Sequence, residues 1–234
     1  MAFRIHPEVW EALPGMRLVV VLAEGLDNRS PAPGVRALQA AAADRLRTGW
    51  PYPNAQSHPH VAAWRDVYKR LGISVKKHPS AIEALVRRVL GGGSLPALNP
   101  LVDLYNTISL RHVVPAGGWD ADELTGGTIE LGFTAGGEPF RALGEEETAT
   151  VGASELAYRD SEELVTRHFV WRQSEKAKVT PETRRAFLVS EILEPVGAEV
   201  AERVRRDLAG EIEARLGATV SSACLDPGTG VWSW

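Results

Sequence analysis

At 234 residues, with 44% hydrophobic and 24% charged side chains, the chain can bury a substantial core and has the composition of an ordinary globular protein. Its single cysteine, Cys224, excludes an intrachain disulfide and a cysteine-rich zinc site, and fits a reducing, cytoplasmic setting. A net charge of −4 does not mark a nucleic-acid binder by its sum, so the distribution of charge carries that question.

Met1-Ala2-Phe3-Arg4-Ile5-His6 has no apolar signal region, and no later run approaches membrane-spanning length. Leu18-Val19-Val20-Val21-Leu22 reads as a buried strand ending at Gly25. Val35 to Arg47 is alanine-rich with helical periodicity, and a loop with Pro51, Pro53 and Pro59 follows. His58 and His60 fall in that loop, without paired metal-ligand spacing. A helix is expected from Val61 to Leu71, and another from Ala81 to Leu90, with Ser80 as N-cap and Glu83 completing a capping box. Gly91-Gly92-Gly93 stops that helix and is no nucleotide fingerprint, because no Lys-Ser or Lys-Thr follows and no strand precedes it. Thr128–Phe133, Glu138–Leu143, Glu155–Tyr158, Leu164–Trp171 and Ala186–Leu193 read as strands, and Glu199–Leu216 as an amphipathic helix. There is no internal repeat. The expectation is an α+β fold over 1–234 as a single domain, with a central, mostly antiparallel sheet flanked by helices.

The segment from Asn99 to Asp120 is the most informative. Asn99 is a good N-cap and Pro100 suits a first helical turn. Asn99, Asp103 and Asn106 recur at spacings of four and three, so they share one helix face among Leu101, Val102, Leu104, Tyr105, Ile108 and Leu110. Such a polar row is costly in an apolar setting unless satisfied. It marks either a structural network or the wall of a site. Pro115, Gly117 and Gly118 follow, where the backbone can turn or approach a ligand closely. Charge is also uneven. Arg65, Lys69, Arg70, Lys76, Lys77, Arg87 and Arg88 face only Asp66 and Glu83 in the same stretch, while acidic residues gather at Glu145-Glu146-Glu147.

Four segments in order carry a resemblance. They are Ala63-Trp64-Arg65 to Gly72 with Pro79 to Arg88, Asn99 to Asp120, Glu138 to Gly144 leading to Ala157-Tyr158-Arg159-Asp160, and Trp171-Arg172-Gln173-Ser174-Glu175 with Thr180-Pro181-Glu182-Thr183. Over about 60–195 this pattern resembles the B3/B4 domain, the editing and tRNA-binding module of the phenylalanyl-tRNA synthetase β subunit, and stand-alone proteins built from that module. The resemblance implies intertwined subregions and a trans-editing hydrolase that deacylates mischarged aminoacyl-tRNA without metal or nucleotide cofactor.

Matched from the Glu182-Thr183 pair, Glu175 falls on the family's editing glutamate, and Arg172 and Gln173 replace small residues there. Gly117 stands where the synthetase has a histidine, so a preference for mischarged tyrosine does not carry over. Stand-alone relatives act on tRNA carrying a non-cognate basic amino acid, canavanine on arginine tRNA. The resemblance therefore implies catalytic Glu175, Asn99 and Asp103, with Asp103 reading a cationic head group. Asn106, Gly117, Gly118, Trp171, Arg172 and Gln173 would bind substrate, and Lys76, Lys77, Arg87 and Arg88 would hold tRNA phosphates. Two other classes stay open: a noncatalytic tRNA-binding module, and a binding protein or enzyme for a free amino-acid-like ligand. No class II aminoacylation signature and no Gly-x-Ser-x-Gly segment are present, and Cys224 sits in a tail without a histidine partner.

Overall fold

The computed structural model describes residues 2–29 and 32–234; Met1, Ser30 and Pro31 lie outside the described residues. The chain begins with strand β1 (Ala2–Ile5), helix α1 (Pro7–Ala12), strand β2 (Arg17–Glu24) and helix α2 (Pro33–Gly49). Helices α3 (Pro59–Arg70), α4 (Ala81–Leu90) and α5 (Pro100–His112) follow. Next come strands β3 (Gly117–Asp120), β4 (Thr128–Phe133), β5 (Pro139–Phe140), β6 (Ala149–Thr150), β7 (Leu156–Arg159), β8 (Thr166–Arg167) and β9 (Arg172–Gln173). Strand β10 (Arg185–Ile192), helix α6 (Ala198–Leu216), and strands β11 (Thr219–Leu225) and β12 (Val231–Ser233) complete it.

The fold is α+β, with two four-stranded sheets in place of one central sheet. One has the order β12-β1-β4-β7 and the other β11-β2-β10-β3, with two-stranded hairpins β5-β6 and β8-β9 beside them. Pairing within these sheets is antiparallel except between β1 and β4. The reason lies in β2 and β10, which are apolar on both faces. Leu18, Val20, Leu22, Phe187 and Val189 point to the other sheet. Val19, Val21, Ala23, Ala186 and Leu188 point to α5 and α6. A strand with two buried faces reads as a continuous apolar run, which is how residues 18–22 read in the sequence. The sheets meet through aromatic rings. Phe187 lies 5.4 Å from Phe3 and 4.8 Å from Trp234, and Trp119 lies 5.0 Å from Tyr158.

The starts of α3, α4 and α5 fall where a capping side chain places them. Ser80 Oγ accepts from the Glu83 N–H, and Asn99 Oδ1 from the Val102 N–H. The capping box is only half made, because the buried Glu83 carboxylate accepts both of its short contacts from Arg65, at 2.9 and 3.0 Å. His60 lies in the first turn of α3 and not in the loop, and His58, at the end of the loop, caps that helix, its Nδ1 accepting from the His60 N–H. The strand expected at 164–171 folds back instead. His168 and Phe169 both take left-handed backbone, at φ 47° and 61°, and turn the chain from β8 into β9. Glu155 fixes that turn by binding Arg167 and accepting from the His168 N–H. Only Pro139–Phe140 of the strand expected at 138–143 is extended in a ladder, and Cys224 lies in β11, paired with β2.

Phe187→Ala should cost about 3–5 kcal/mol, the usual loss for a buried phenylalanine. A urea midpoint shift at constant slope measures it.

Candidate active site

One cleft, of about 190 Å³, opens between α5, the β3 segment, β10 and the β8–β9 turn. Asn106 and the 115–118 backbone form one wall, and Phe169, Val170 and Trp171 the other. Arg172 and Gln173 stand half-exposed at the rim. At the bottom lie Tyr158 and Glu191, both buried. Glu191 follows Phe187 and Val189 on the inner face of β10, so strand alternation delivers its carboxyl to the space between the sheets. The Tyr158 hydroxyl donates to Glu191 Oε1 at 2.7 Å. Burial pushes the Glu191 carboxyl up to about 7, against the opposing pull of that hydrogen bond. The cleft therefore ends in an acid that is part neutral and part anionic near neutral pH.

Backbone chemistry shapes the remainder. Gly118 pairs with Leu188, and a Cβ added there would meet the Phe187 carbonyl and the Leu188 side chain at 3.0 Å. Gln173 Nε2 donates to the Gly118 carbonyl at 2.9 Å, which leaves its amide oxygen for a ligand. Arg172 is held by the Leu143 carbonyl and Glu145, with its guanidinium 6.0 Å from the Trp171 ring centre.

Three of the nine residues expected around one cleft lie outside it. Asn99 is spent on the start of α5: its amide accepts from Val102 and Asn28 and donates to the Val179 carbonyl. Asp103 accepts from the Leu98 N–H at 3.1 Å and pairs with Arg36 at 3.2 Å. Glu175 accepts from the Gly144 N–H at 2.7 Å and pairs with Lys178 at 2.6 Å, in the loop beside β5. The polar row thus divides. Asn99 and Asp103 belong to a structural network, and Asn106, one turn on, faces the cleft. The remaining six, Asn106, Gly117, Gly118, Trp171, Arg172 and Gln173, line it together.

The basic residues divide as well. Lys76 and Lys77 are exposed in a turn that ends at His78, whose ring lies 4.2 Å from Trp171 at the cleft rim. Arg87 and Arg88 occupy the last turn of α4, at the opposite end of that helix from Ala81, which lines the cleft.

The family model of the B3/4 domain matches residues 63–215. The chain belongs to the B3/4-domain family. The chain also aligns with the crystal structure of an N-terminal fragment of the phenylalanyl-tRNA synthetase β subunit from Pyrococcus horikoshii. The TM-score is 0.48 and the identity 11%, over 95% of this chain and 53% of the other, so it spans about half the length of that structure. No curated protein matches it.

Glu191 and Tyr158 escape the sequence reading, although the signal was present: Ser190-Glu191 interrupts the apolar run of residues 186–193. A carboxyl raised from 4.5 to about 7 on folding keeps its proton in the native state where the unfolded chain has lost it. Stability from this group is therefore full below pH 4.5 and falls as pH rises to about 7, by about 3 kcal/mol in all. His58 and His168, each lowered to about 4, act in the opposite direction over the overlapping range. Comparison with Glu191→Gln isolates the acid: the variant should gain on the wild type by roughly that amount between pH 5 and pH 8 in urea unfolding.

Proposed function

We propose that this B3/4 domain hydrolyses the ester joining a misattached amino acid, one with a basic side chain such as canavanine, to the 3′ end of tRNA. The observation that carries the reading is the buried Glu191–Tyr158 pair at the bottom of an amino-acid-sized cleft whose mouth adjoins an exposed basic turn. The cleft volume of about 190 Å³ lies below the range of about 300–1,000 Å³ typical of larger ligands. The buried carboxylate suits a cationic head group, because a charge in such surroundings is best satisfied by a paired, hydrogen-bonded partner. Glu191 thus takes the role that the sequence assigned to Asp103.

An aminoacyl ester is already activated, so orientation of water and stabilisation of the developing oxyanion supply the catalysis. Water attacks the carbonyl carbon, and Asn106, which makes no side-chain hydrogen bond among the described residues, donates to the oxyanion. Collapse breaks the ester bond to the ribose oxygen, which leaves with the proton released by the water. The Gln173 amide oxygen accepts from the substrate amine. Lys76 and Lys77 hold acceptor-strand phosphates, and Glu175 supports the loop at Gly144 without touching substrate.

A panel of mischarged tRNAs tests the reading. Glu191→Gln should slow deacylation of the basic aminoacyl ester roughly 10–100-fold, the loss of one charge-assisted hydrogen bond. Wild-type activity on that ester should rise with pH through about 7 as Glu191 ionises, and the variant should lose this dependence. Glu175→Gln should leave activity unchanged. An inactive panel with tRNA binding retained would replace the hydrolase with a noncatalytic tRNA-binding module. Separately, Lys76→Ala with Lys77→Ala should weaken tRNA binding and make the log–log salt slope shallower by about two.

A further inference from the structure

A second cavity, of about 400 Å³, lies between α2, α5 and the linker that joins α2 to α3. Its apolar side comes from Leu46 of α2 and Leu110 of α5, and its mouth from Trp50, Tyr52 and His58. The three rings form one cluster. Trp50 stacks on His58 at 5.0 Å and 22°, and Tyr52 meets both edge-on, at 5.5 and 5.0 Å. All three are half-buried, so ring surface remains open. The Trp50 indole nitrogen is buried without an acceptor among the described residues. Burial, with His60 beside it, pushes His58 down to about 4, which leaves a neutral imidazole in the stack.

The charge of the cavity is one-sided. Arg45 and Arg111 line it and no carboxylate does. Arg111 is paired with Asp207 at 3.0 Å, whereas the Arg45 side chain makes no ion pair among the described residues. The cavity bordered by Glu130, Glu138, Asp160 and Glu162 has the reverse character and would repel phosphate.

Position ties this cavity to the cleft. Asn106 lines the cleft and Leu110 the second cavity, and residues four apart occupy one helix face, about 6 Å apart along the axis. Val113, which also lines the second cavity, ends α5 two residues before Pro115 of the cleft, in left-handed backbone at φ 54°, an unfavourable conformation for a β-branched residue. It is held there by its own N–H on the Ser109 carbonyl, while the His60 ring contacts the His112 and Val113 carbonyls at 3.1 and 3.2 Å. Strained residues of this kind concentrate at ligand sites.

We propose that the Trp50–Tyr52–His58 cavity takes a nucleobase of the single RNA strand whose end enters the cleft, with Arg45 on the adjoining phosphate. The inference rests on the proposed function for the identity of that strand. Aromatic faces accept any base by stacking, and a free guanidinium supplies the backbone contact. Along α5 the lining residues Asn106 and Leu110 stand about one nucleotide's length apart.

The probe is the trinucleotide C-C-A, the sequence that ends every tRNA, titrated calorimetrically against the whole protein beside cytidine and adenosine monophosphates. The wild type should bind the trinucleotide more tightly than either monophosphate, and more weakly as salt rises. Trp50→Leu, and independently Tyr52→Leu should the first variant fail to fold, should weaken it roughly tenfold, the effect of losing one base–aromatic stack. The Trp50 indole N–H resonance should shift on titration. Equal affinities in the wild type and the variants, or monophosphates binding as tightly as the trinucleotide, would overturn the proposal. The trinucleotide carries no aminoacyl ester, so the two readings fail separately. Trinucleotide binding through Trp50 by a protein inactive on every mischarged tRNA removes the hydrolase alone. Full deacylation with binding indifferent to Trp50 removes the base site alone.

Discussion

Strand β10 is covered on one face by α5 and α6 and on the other by the aromatic side chains of the second sheet, and into that second contact it carries the carboxyl of Glu191. An isolated carboxylate in such a place costs several kcal/mol, and proteins respond by pairing it or protonating it. Here both responses are present. Tyr158, from the facing sheet, donates to it, and burial raises its affinity for a proton. The cleft has this pair among its lining residues, both of them buried. Beside it, Phe3 of the facing sheet packs on Phe187 and Tyr158 on Trp119.

Helix α5 links the parts. Its first turn is fixed by the Asn28–Asn99 amide pair and by Asp103 with Arg36, its middle presents Asn106 to the cleft, and its last turn presents Leu110 and Arg111 to the second cavity. Because the first turn is tied by so many polar contacts, the position of Asn106 is set by groups that lie outside the cleft. Substitutions at Asn99 or Asp103 would therefore act on the site through geometry.

Much of the fold was legible in the sequence, because its signals were local. Ser80, Asn99 and Pro100 announce helix starts through backbone groups a few residues away, and residues 18–22 announce a doubly buried strand by composition alone. The β8–β9 hairpin was not legible. Its turn is built on His168 and Phe169 in backbone that other residues more often supply, and it is held by Glu155, more than ten residues back. The site shows the same division. Glycines and polar residues near one another in sequence were recognised, and five of them meet in the cleft together with Trp171. Glu191 and Tyr158 become a pair only when two sheets face each other, a relation that no spacing along the chain encodes. Glu175 looked catalytic by position in a motif, while the loop around it uses its carboxylate for Gly144 and Lys178.

Strand β12 pairs with β1, setting Ser233 opposite Ala2, and Trp232 and Trp234 close over Phe187. The hydrophobic centre thus draws on both extremes of the described chain. Contacts of such long sequence separation form late and slow folding. During synthesis β1 can pair with β4 long before its other edge has a partner, so a ribosome-bound chain carries an open strand edge beside a Phe187 that still lacks the cover of Trp232 and Trp234. Until residues 231–233 are made and pair with β1, that edge stays open to other strands, a state that favours aggregation.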